Sequence, residues 1–324
     1  MLKLSAKHKR GLALSLVMAA SLYISFIVWT GYEEIARATA RLGWSGWLLL
    51  LGCSFGNYLL RFVRWAFYLR ALDYHLPLRQ NFLYYMSGFA LTTTPGKAGE
   101  TIRSVYLKAH GVRYSHSLAM FFTERFLDVV VVTLLAALSV LAFESYGRFV
   151  VTAAVALLFM LPLLRSRHLV SGLRLLAPHF PYARIRRLTL HLAHLLETAR
   201  TLLAWRLLYT GLALGLLAWA IQGLAFHYIL TTLQVDADLY SSMSIYAISL
   251  LAGALSFVPG GIGTTEAVMG LLLLNMGADT VTAVAIPLIS RLSTLWFAVV
   301  LGLISSLLIG LGEKSDTGNS LLPR

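Results

Sequence analysis

The sequence TPGKAGE at residues 94–100 breaks a long apolar stretch, and the sequence VPGGIGTTE at residues 258–266 breaks a second one. Proline and glycine end a helix at each break. At membrane depth such a break is tolerated only where protein or a water-filled cavity surrounds the freed backbone. The residues that we assign to the two breaks are Pro95, Gly96, Gly99, Pro259, Gly260, Gly261, Gly263 and Thr264.

Each break is followed by an arginine inside the next apolar helix. Arg125 comes 25 positions after Glu100, and Arg291 comes 25 positions after Glu266. A charge at that depth in a membrane protein marks a functional site by default. Two copies of the same pattern predict a transporter-like core built from a structural repeat.

The composition places the chain among polytopic α-helical membrane proteins. Of its 324 residues 58% are apolar and 13% are charged, and several apolar runs are long enough to cross about 30 Å of hydrocarbon. The net charge of +13 lies mostly at helix ends and in one long loop, which indicates contact with anionic headgroups and not with nucleic acid. Cys53 is the only cysteine, so the chain forms no intrachain disulfide.

Six apolar runs are predicted to span the membrane, and the first is expected to remain as an uncleaved span because it is longer than a signal-peptide core. The two broken stretches have limbs of roughly 12 residues, or about 18 Å of helix, which is too short to cross. We therefore expect an all-α protein with six transmembrane helices plus two re-entrant helical hairpins. The predicted spans are 11–30, 47–69, 115–143, 148–164, 207–230 and 280–311, and the hairpins are 80–111 and 240–276.

The distribution of basic residues predicts the orientation. The segment 165–206 carries eight arginines against Glu197 alone and is assigned to the cytoplasm, whereas 231–239 has two aspartates and no lysine or arginine and is assigned to the outside. Both termini then lie in the cytoplasm.

This orientation gives two repeat units that run in opposite directions. Unit one covers about 47–143 and unit two about 207–311, joined by the basic amphipathic segment 165–206. Residues 1–312 form a single membrane domain in this interpretation, and 313–324 form a polar tail. An inverted repeat would bring Arg125 and Arg291 together near mid-bilayer.

The first break predicts a phosphate-binding site. Lys97 and Arg103 add positive charge beside backbone amides at a helix start, and Glu100 can pair with either. The alternative is a self-contained salt bridge in a cytoplasmic loop. The Walker spacing is absent, so this is not a nucleotide-binding P-loop.

Four further charges belong to the predicted site. Glu124, Arg125 and Asp128 cover one side of a helix and would face the bundle interior, either as a binding site or as a structural salt bridge. Glu266 either pairs with Arg291 or Arg125, or only caps the helix that follows its glycine-rich turn.

Two pairs of residues in span 47–69 are predicted to lie near the membrane surface. Arg64 is a weaker candidate for the site, because it and Arg61 lie near the inner boundary and could reach the headgroups along their stems. Trp65 and Tyr68 beside them are predicted to be interfacial belt residues.

The basic segment between the units predicts an interfacial helix. Its leucines recur at helical spacing among arginines and histidines, which favours a position on the cytoplasmic leaflet. His191, His194 and Glu197 have a spacing that superficially resembles metal ligands, but headgroup contact is the preferred interpretation. No metal, cofactor or catalytic residue is predicted, and the common hydrolase motifs are absent.

The two breaks and the Glu124-Arg125 pair resemble those of the lysylphosphatidylglycerol synthase transmembrane family. The resemblance covers about residues 10–312. It implies a flippase-like, lipid-handling domain, which in the full synthase precedes a soluble aminoacyl-transferase domain. We expect no lysyltransferase activity here, because the chain leaves no room for that domain.

These features favour a lipid flippase in a bacterial-type inner membrane, with anionic or phosphate-bearing lipids as partners and a homo-oligomer left open. The arginines would engage the lipid phosphate, and the acids would pair with them in alternate states. Three alternatives remain: an intramembrane transferase with Glu124 or Asp128 as base, a carrier of small ions or solutes, and a non-transporting assembly partner.

Overall fold

The structure, a computed structural model, describes residues 32–138 and 144–319 together with Ser21. The predicted span 11–30 otherwise lies outside the described residues, as do 139–143 at the end of the predicted span 115–143. The described chain is helical throughout and contains no strand. Its helices are α1 (Tyr32–Arg41), α2 (Gly43–Ala71), α3 (Leu78–Ser87), α4 (Arg103–Lys108), α5 (Tyr114–Ala136), α6 (Glu144–Arg165), α7 (Arg167–Leu176), α8 (Ala183–Leu202), α9 (Trp205–Thr232), α10 (Leu239–Leu255), α11 (Thr264–Asn275), α12 (Thr280–Arg291) and α13 (Phe297–Asn319).

Three helical segments are long and apolar enough to span a membrane: Gly43–Ala71, Trp205–Thr232 and Thr280–Leu311. The helices Val151–Arg165 and Arg167–His179 would add a fourth span if they are counted together, although the chain bends by 66° between them. The third segment is not a regular α-helix throughout. A π-helix, Leu292–Trp296, joins α12 to α13 directly after Arg291.

Both predicted breaks interrupt helices at the expected places. At the first break, α3 passes into short 3₁₀ turns, Gly88–Leu91 and Pro95–Ile102, before α4 begins. At the second, α10 ends at Leu255 and a 3₁₀ turn, Pro259–Gly261, leads into α11. The glycines explain the sharp turn there, because Gly260, Gly261 and Gly263 all have positive φ (64°, 65° and 84°).

The long helices α2 and α9 pack side by side in opposite directions. Near one end Ser54 accepts a hydrogen bond from Gln222 at 3.1 Å, and further along Asn57 donates to the carbonyl of Ala218 at 2.8 Å. Towards the other end Arg64 lies against the backbone of Gly211. Residue numbers rise along α2 as they fall along α9, so the helices are antiparallel over this whole contact.

Each broken stretch is covered by the last helix of the other half of the chain. Gly302 on α13 lies so close to the first broken stretch that a Cβ there would overlap the backbone at Phe89 and Ala90. In the other direction, Val131 and Ala136 near the end of α5 pack in one apolar cluster with Ala247 on α10. The two breaks also touch, since a Cβ on Gly260 would lie 3.4 Å from the Cα of Thr93.

Candidate functional site

A buried cluster of seven charged side chains lies where α2, α5 and the first break meet. Six of the seven are less than a tenth exposed, and the seventh, Arg125, is 17% exposed. The members of this charge cluster are Arg61, Arg64, Glu100, Arg103, Glu124, Arg125 and Asp128.

Asp128 holds three arginines together. Its Oδ1 accepts a hydrogen bond from Arg64 at 2.6 Å, and its Oδ2 lies 3.2 Å from Arg125 Nη2 and 3.5 Å from Arg61 Nη2. The indole N–H of Trp219 on α9 donates to the same Oδ1 at 3.3 Å. Asp128 thereby ties α2, α5 and α9 to one point.

Glu124 sits at the centre of the cluster with no measurable exposure. Its Oε1 accepts a hydrogen bond of 2.5 Å from the Tyr85 hydroxyl and lies 3.2 Å from Arg125 Nη2. Its Oε2 lies 3.4 Å from Arg103 Nη1. Both carboxylate oxygens of Glu124 are therefore engaged by donors.

Arg103 is fixed on every side. Its guanidinium binds Glu100 Oε2 at 2.7 Å and lies between the rings of Trp65 and Tyr85, at 4.7 and 4.6 Å from their centroids. Its Nε also donates to the Glu100 carbonyl at 3.0 Å. This packing gives Arg103 a structural role, because none of its side chain is exposed.

The second break carries its own ion pair. Arg291 Nε binds Glu266 Oε1 at 2.8 Å, and Arg291 Nη2 donates to the carbonyl of Gly260. The other oxygen of Glu266 accepts from the backbone N–H of Gly263 at 2.7 Å. Glu266 therefore pairs with Arg291, as one interpretation predicted, and it also caps α11, so that capping is not its only role.

The two pairs with 25-residue spacing both form. Glu100 Oε2 lies 3.8 Å from Arg125 Nη2. Glu266 Oε1 lies closer to its partner, at 2.8 Å from Arg291 Nε. The first pair is looser because Glu100 binds Arg103 at shorter range.

A cavity of about 250 Å³ lies between these two groups of charges. Arg125 and Asp128 of the charge cluster and Arg291 beside the second break all line it. The remaining wall is largely apolar and includes Val132 and Leu251. We call this space the central cavity.

The donors of Arg125 are not fully used. Its Nε and Nη2 are buried without a hydrogen bond of good geometry, and so is Asp128 Oδ2. Together with the second pair, five arginines face four carboxylates, which leaves one positive charge in excess. This is the chemistry of a site for a monoanion with an apolar neighbour.

Two predictions about α2 are wrong. Arg61 and Arg64 do not extend to the membrane boundary, since they are 4% and 1% exposed and bind the acids of α5. Trp65 and Tyr68 are not belt residues, since each is 1% exposed. Glycines on α9 make this burial possible, because a Cβ on Gly215 would lie 3.0 Å from Arg64 Nη1.

Two further predictions and one residue that was not predicted remain. The side chain of Lys97 lies outside the described residues. Trp219 binds Asp128 and lines the central cavity, and sequence reasoning missed it. On α8, His194 Nδ1 lies 3.8 Å from Glu197, and no three potential metal ligands come together in the described part of the chain.

Comparison with known proteins agrees with this architecture. The sequence profile described as the lysylphosphatidylglycerol synthase transmembrane region matches residues 11–302. The chain is 26% identical to a UPF0104 membrane protein of Methanothermobacter thermautotrophicus over 303 residues, which cover 88% of this chain and 90% of the relative. It is 23% identical to a UPF0104 membrane protein of Pyrococcus horikoshii over 320 residues, covering 89% and 94%. The protein is a membrane protein, and it belongs to the lysylphosphatidylglycerol synthase transmembrane region family.

Proposed function

We propose that this protein moves an amphipathic, phosphate-bearing lipid across the membrane, with the lipid phosphate bound in the central cavity. The observation that carries the proposal is the wall of that cavity. Two arginines and an aspartate line a space whose remaining wall is largely apolar, within a membrane protein. A soluble ion would gain nothing from the apolar wall, whereas a lipid uses both surfaces.

The size of the cavity favours a headgroup as the bound part. A volume of about 250 Å³ is at the lower end for ligand pockets and is too small for acyl chains. The chains would remain in the bilayer while the phosphate reaches Arg125 and Arg291. Arg125 is the first contact in this scheme, because it is the most exposed member of the charge cluster.

We further propose six spans and two re-entrant hairpins in an inverted repeat, in a cytoplasmic-type membrane with both termini inside. The antiparallel contact of α2 and α9 supports opposite orientation of the two units. The equally spaced pairs Glu100–Arg125 and Glu266–Arg291 support their equivalence. The charge bias of the loops supports the orientation.

Exchange of ion-pair partners would switch the protein between the two conformational states of the transport cycle. A phosphate that binds Arg125 and Arg291 competes with Asp128 and Glu266 for the same guanidinium groups. A ligand shifts a conformational equilibrium by the difference in its affinity for the two states. Release of the Glu266–Arg291 pair would free the second break to move, since Arg291 also holds the carbonyl of Gly260.

A catalytic base at Glu124 is less favoured by the geometry. Its oxygens face Tyr85, Arg103 and Arg125, so neither is directed at an empty space where a substrate could react. Asp128, the other candidate base, is paired with Arg61, Arg64 and Arg125, which favours its ionised form as a partner of these arginines. We therefore propose binding and transport without covalent chemistry.

The test is translocation of headgroup-labelled phospholipids in proteoliposomes, followed by dithionite quenching. We expect the wild-type protein to accelerate quenching of inner-leaflet lipid, and Arg125→Gln and Arg291→Gln to return the rate to that of empty vesicles. Arg79→Gln is the matched control, because Arg79 is exposed at the start of α3. Wild-type rates in both cavity variants, with normal reconstitution, would exclude the proposed role of these arginines.

A further inference from the structure

A second pocket, of about 550 Å³, lies between α8 and the beginning of α5, away from the central cavity. Arg113, Ser115 and His116 form one wall, and α8 forms the other with His194, Glu197 and two threonines. We call it the side pocket. None of its residues takes part in the charge cluster, and translocation does not explain it.

The charge of the side pocket is positive at the α5 wall. Its one acid, Glu197, is bound by Arg174 of α7 at 2.5 Å and is thereby neutralised. Within the described residues no carboxylate lies within ion-pair distance of Arg113. The Arg113 guanidinium is therefore available to an anion.

His116 lies beside Arg113, and its contact with Tyr74 engages Nδ1, so that Nε2 is the ring nitrogen left for a ligand. The backbone N–H of Arg113 donates to the Tyr74 oxygen at 3.3 Å, and that oxygen lies 3.1 Å from His116 Nδ1. In the arrangement that we assign to the site, the Tyr74 hydroxyl donates its proton to Nδ1. The neutral ring then carries its own proton on Nε2, as a hydrogen-bond donor.

The α8 wall offers acceptors instead. The hydroxyl of Thr198 donates to the carbonyl of His194 at 3.0 Å, and that of Thr201 donates to the carbonyl of Glu197 at 3.4 Å. With their protons directed into the helix, both hydroxyls present lone pairs to the pocket. A ligand that fits has an anion at one end and hydroxyl donors at the other.

We propose that the side pocket binds a phosphate ester that carries hydroxyl groups, with the phosphate at Arg113 and His116 and the hydroxyls at Thr198 and Thr201. Two sources share this chemistry: a free polyol phosphate and the glycerol-phosphate headgroup of a lipid. This inference is independent of the lipid translocation proposed for the central cavity.

The experiment is calorimetric titration of the full-length protein in nanodiscs with glycerol 3-phosphate, inorganic phosphate and glycerol. In phosphatidylcholine nanodiscs we expect glycerol 3-phosphate to bind more tightly than inorganic phosphate, and glycerol not to bind. Arg113→Gln and His116→Phe should each weaken binding about tenfold or more, the usual effect of losing a charge-assisted hydrogen bond. Arg186→Gln, an exposed arginine of α8 outside the pocket, should leave the affinity unchanged.

Nanodiscs that contain phosphatidylglycerol separate the two sources. Unchanged affinity for glycerol 3-phosphate in these nanodiscs identifies a free ligand. Suppressed affinity, with Arg113-dependent retention of phosphatidylglycerol in native mass spectrometry, identifies a lipid headgroup. Equal loss of binding in Arg186→Gln, or neither binding nor Arg113-dependent retention, overturns the proposal.

Discussion

Arg103 and Arg125 belong to one charge cluster but have different surroundings. Arg103 is enclosed by Trp65, Tyr85 and Glu100, with no exposed surface. Arg125 is 17% exposed and lines the central cavity. Burial thus separates an arginine that holds the structure from one that is available to a ligand.

This contrast predicts that the same substitution, arginine to glutamine, affects mainly stability at Arg103 and mainly translocation at Arg125. Arg103→Gln should lower the stability by about 3–5 kcal/mol, because it leaves Glu100 with a weakened partner in a buried site. Arg125→Gln should cost less stability, because Glu124 and Asp128 retain Arg61 and Arg64 as partners, but it should abolish translocation. Thermal unfolding in detergent and the dithionite assay measure the two effects. A larger loss of stability for Arg125→Gln would contradict this division.

Gly302 gives a second prediction for a single residue. A Cβ at this position overlaps the backbone at Phe89 and Ala90, so even Gly302→Ala must displace the first broken stretch. We expect a loss of about 1–3 kcal/mol, as is usual for overpacking. Gly310→Ala on the same helix is the control, because it has open space and should be neutral or slightly stabilising. Equal unfolding temperatures for the two variants would refute the close contact.

Sequence spacing predicted the Glu266–Arg291 pair but not the burial of Arg64. The pair follows from a repeated pattern within the chain, which a reader of the sequence can find. The environment of Arg64 depends on how α9 crosses α2, and the relevant signal is the Gly211-x-x-x-Gly215 spacing on α9. Such small-residue spacing allows close helix approach in membranes. It could have shown that a large side chain of a neighbouring helix fills the space.

At the scale of elements, the breaks could be located from proline and glycine, whereas their inner geometry could not. The first break consists of 3₁₀ turns, and Gly99 is required there by close approach, because a Cβ would lie 2.5 Å from Leu91 Cβ. The π-helix after Arg291 was also not predicted, since no local sequence signal announces it. These features arise from contacts between distant parts of the chain.

The N-terminal cap of helix α12 allows a test of the structure that does not depend on transport. Asp279 caps α12, and its carboxylate accepts bonds from the Thr282 backbone N–H at 3.0 Å and hydroxyl at 2.6 Å. These bonds lower the pKa of Asp279 below its ordinary value. A lowered pKa in the folded state stabilises the protein above the unfolded pKa, and this contribution disappears as the pH falls through the folded pKa.

Asp279→Ala should therefore lower stability by about 1 kcal/mol at neutral pH. The difference from wild type should vanish as the solution becomes strongly acidic, and thermal unfolding across a pH series measures it. Asp236→Ala is the control, because Asp236 is an exposed aspartate for which no capping bond is found in the described chain. A pH-independent difference for Asp279→Ala would exclude the cap as its cause.

At the scale of the whole molecule, the proposed orientation predicts which loops can be reached from outside the cell. In a Cys53→Ser background, a cysteine at Asp236 should react with an impermeant maleimide added to intact cells. A cysteine at Arg186 should react only after permeabilisation, because its segment carries the strong positive bias. The reverse labelling pattern would invert the orientation, and labelling of both from outside would refute the proposed topology.

The class of protein and most charged residues of the candidate site could be predicted from the sequence, because hydropathy and charges within apolar helices are strong signals. Three of the predicted spans lie within helices of suitable length and composition. The predicted span at 115–143 corresponds to the continuous helix α5, whose apolar sequence is interrupted by the charged residues Glu124, Arg125 and Asp128. The pairing of the two halves could not be predicted, because it depends on glycine contacts such as Gly302 against Ala90.

The exchange of covering helices has a consequence for the ancestry of the chain. Because α13 packs on the first broken stretch and α5 packs on the second, each half of the chain completes the packing of the other. If the inverted repeat that we propose is correct, a half-length ancestor would have left part of its broken stretch facing lipid, at a cost that a single copy could not offset. It would therefore have needed a second copy inserted upside down from the outset. Duplication and fusion of its gene would then have made an obligate partnership permanent.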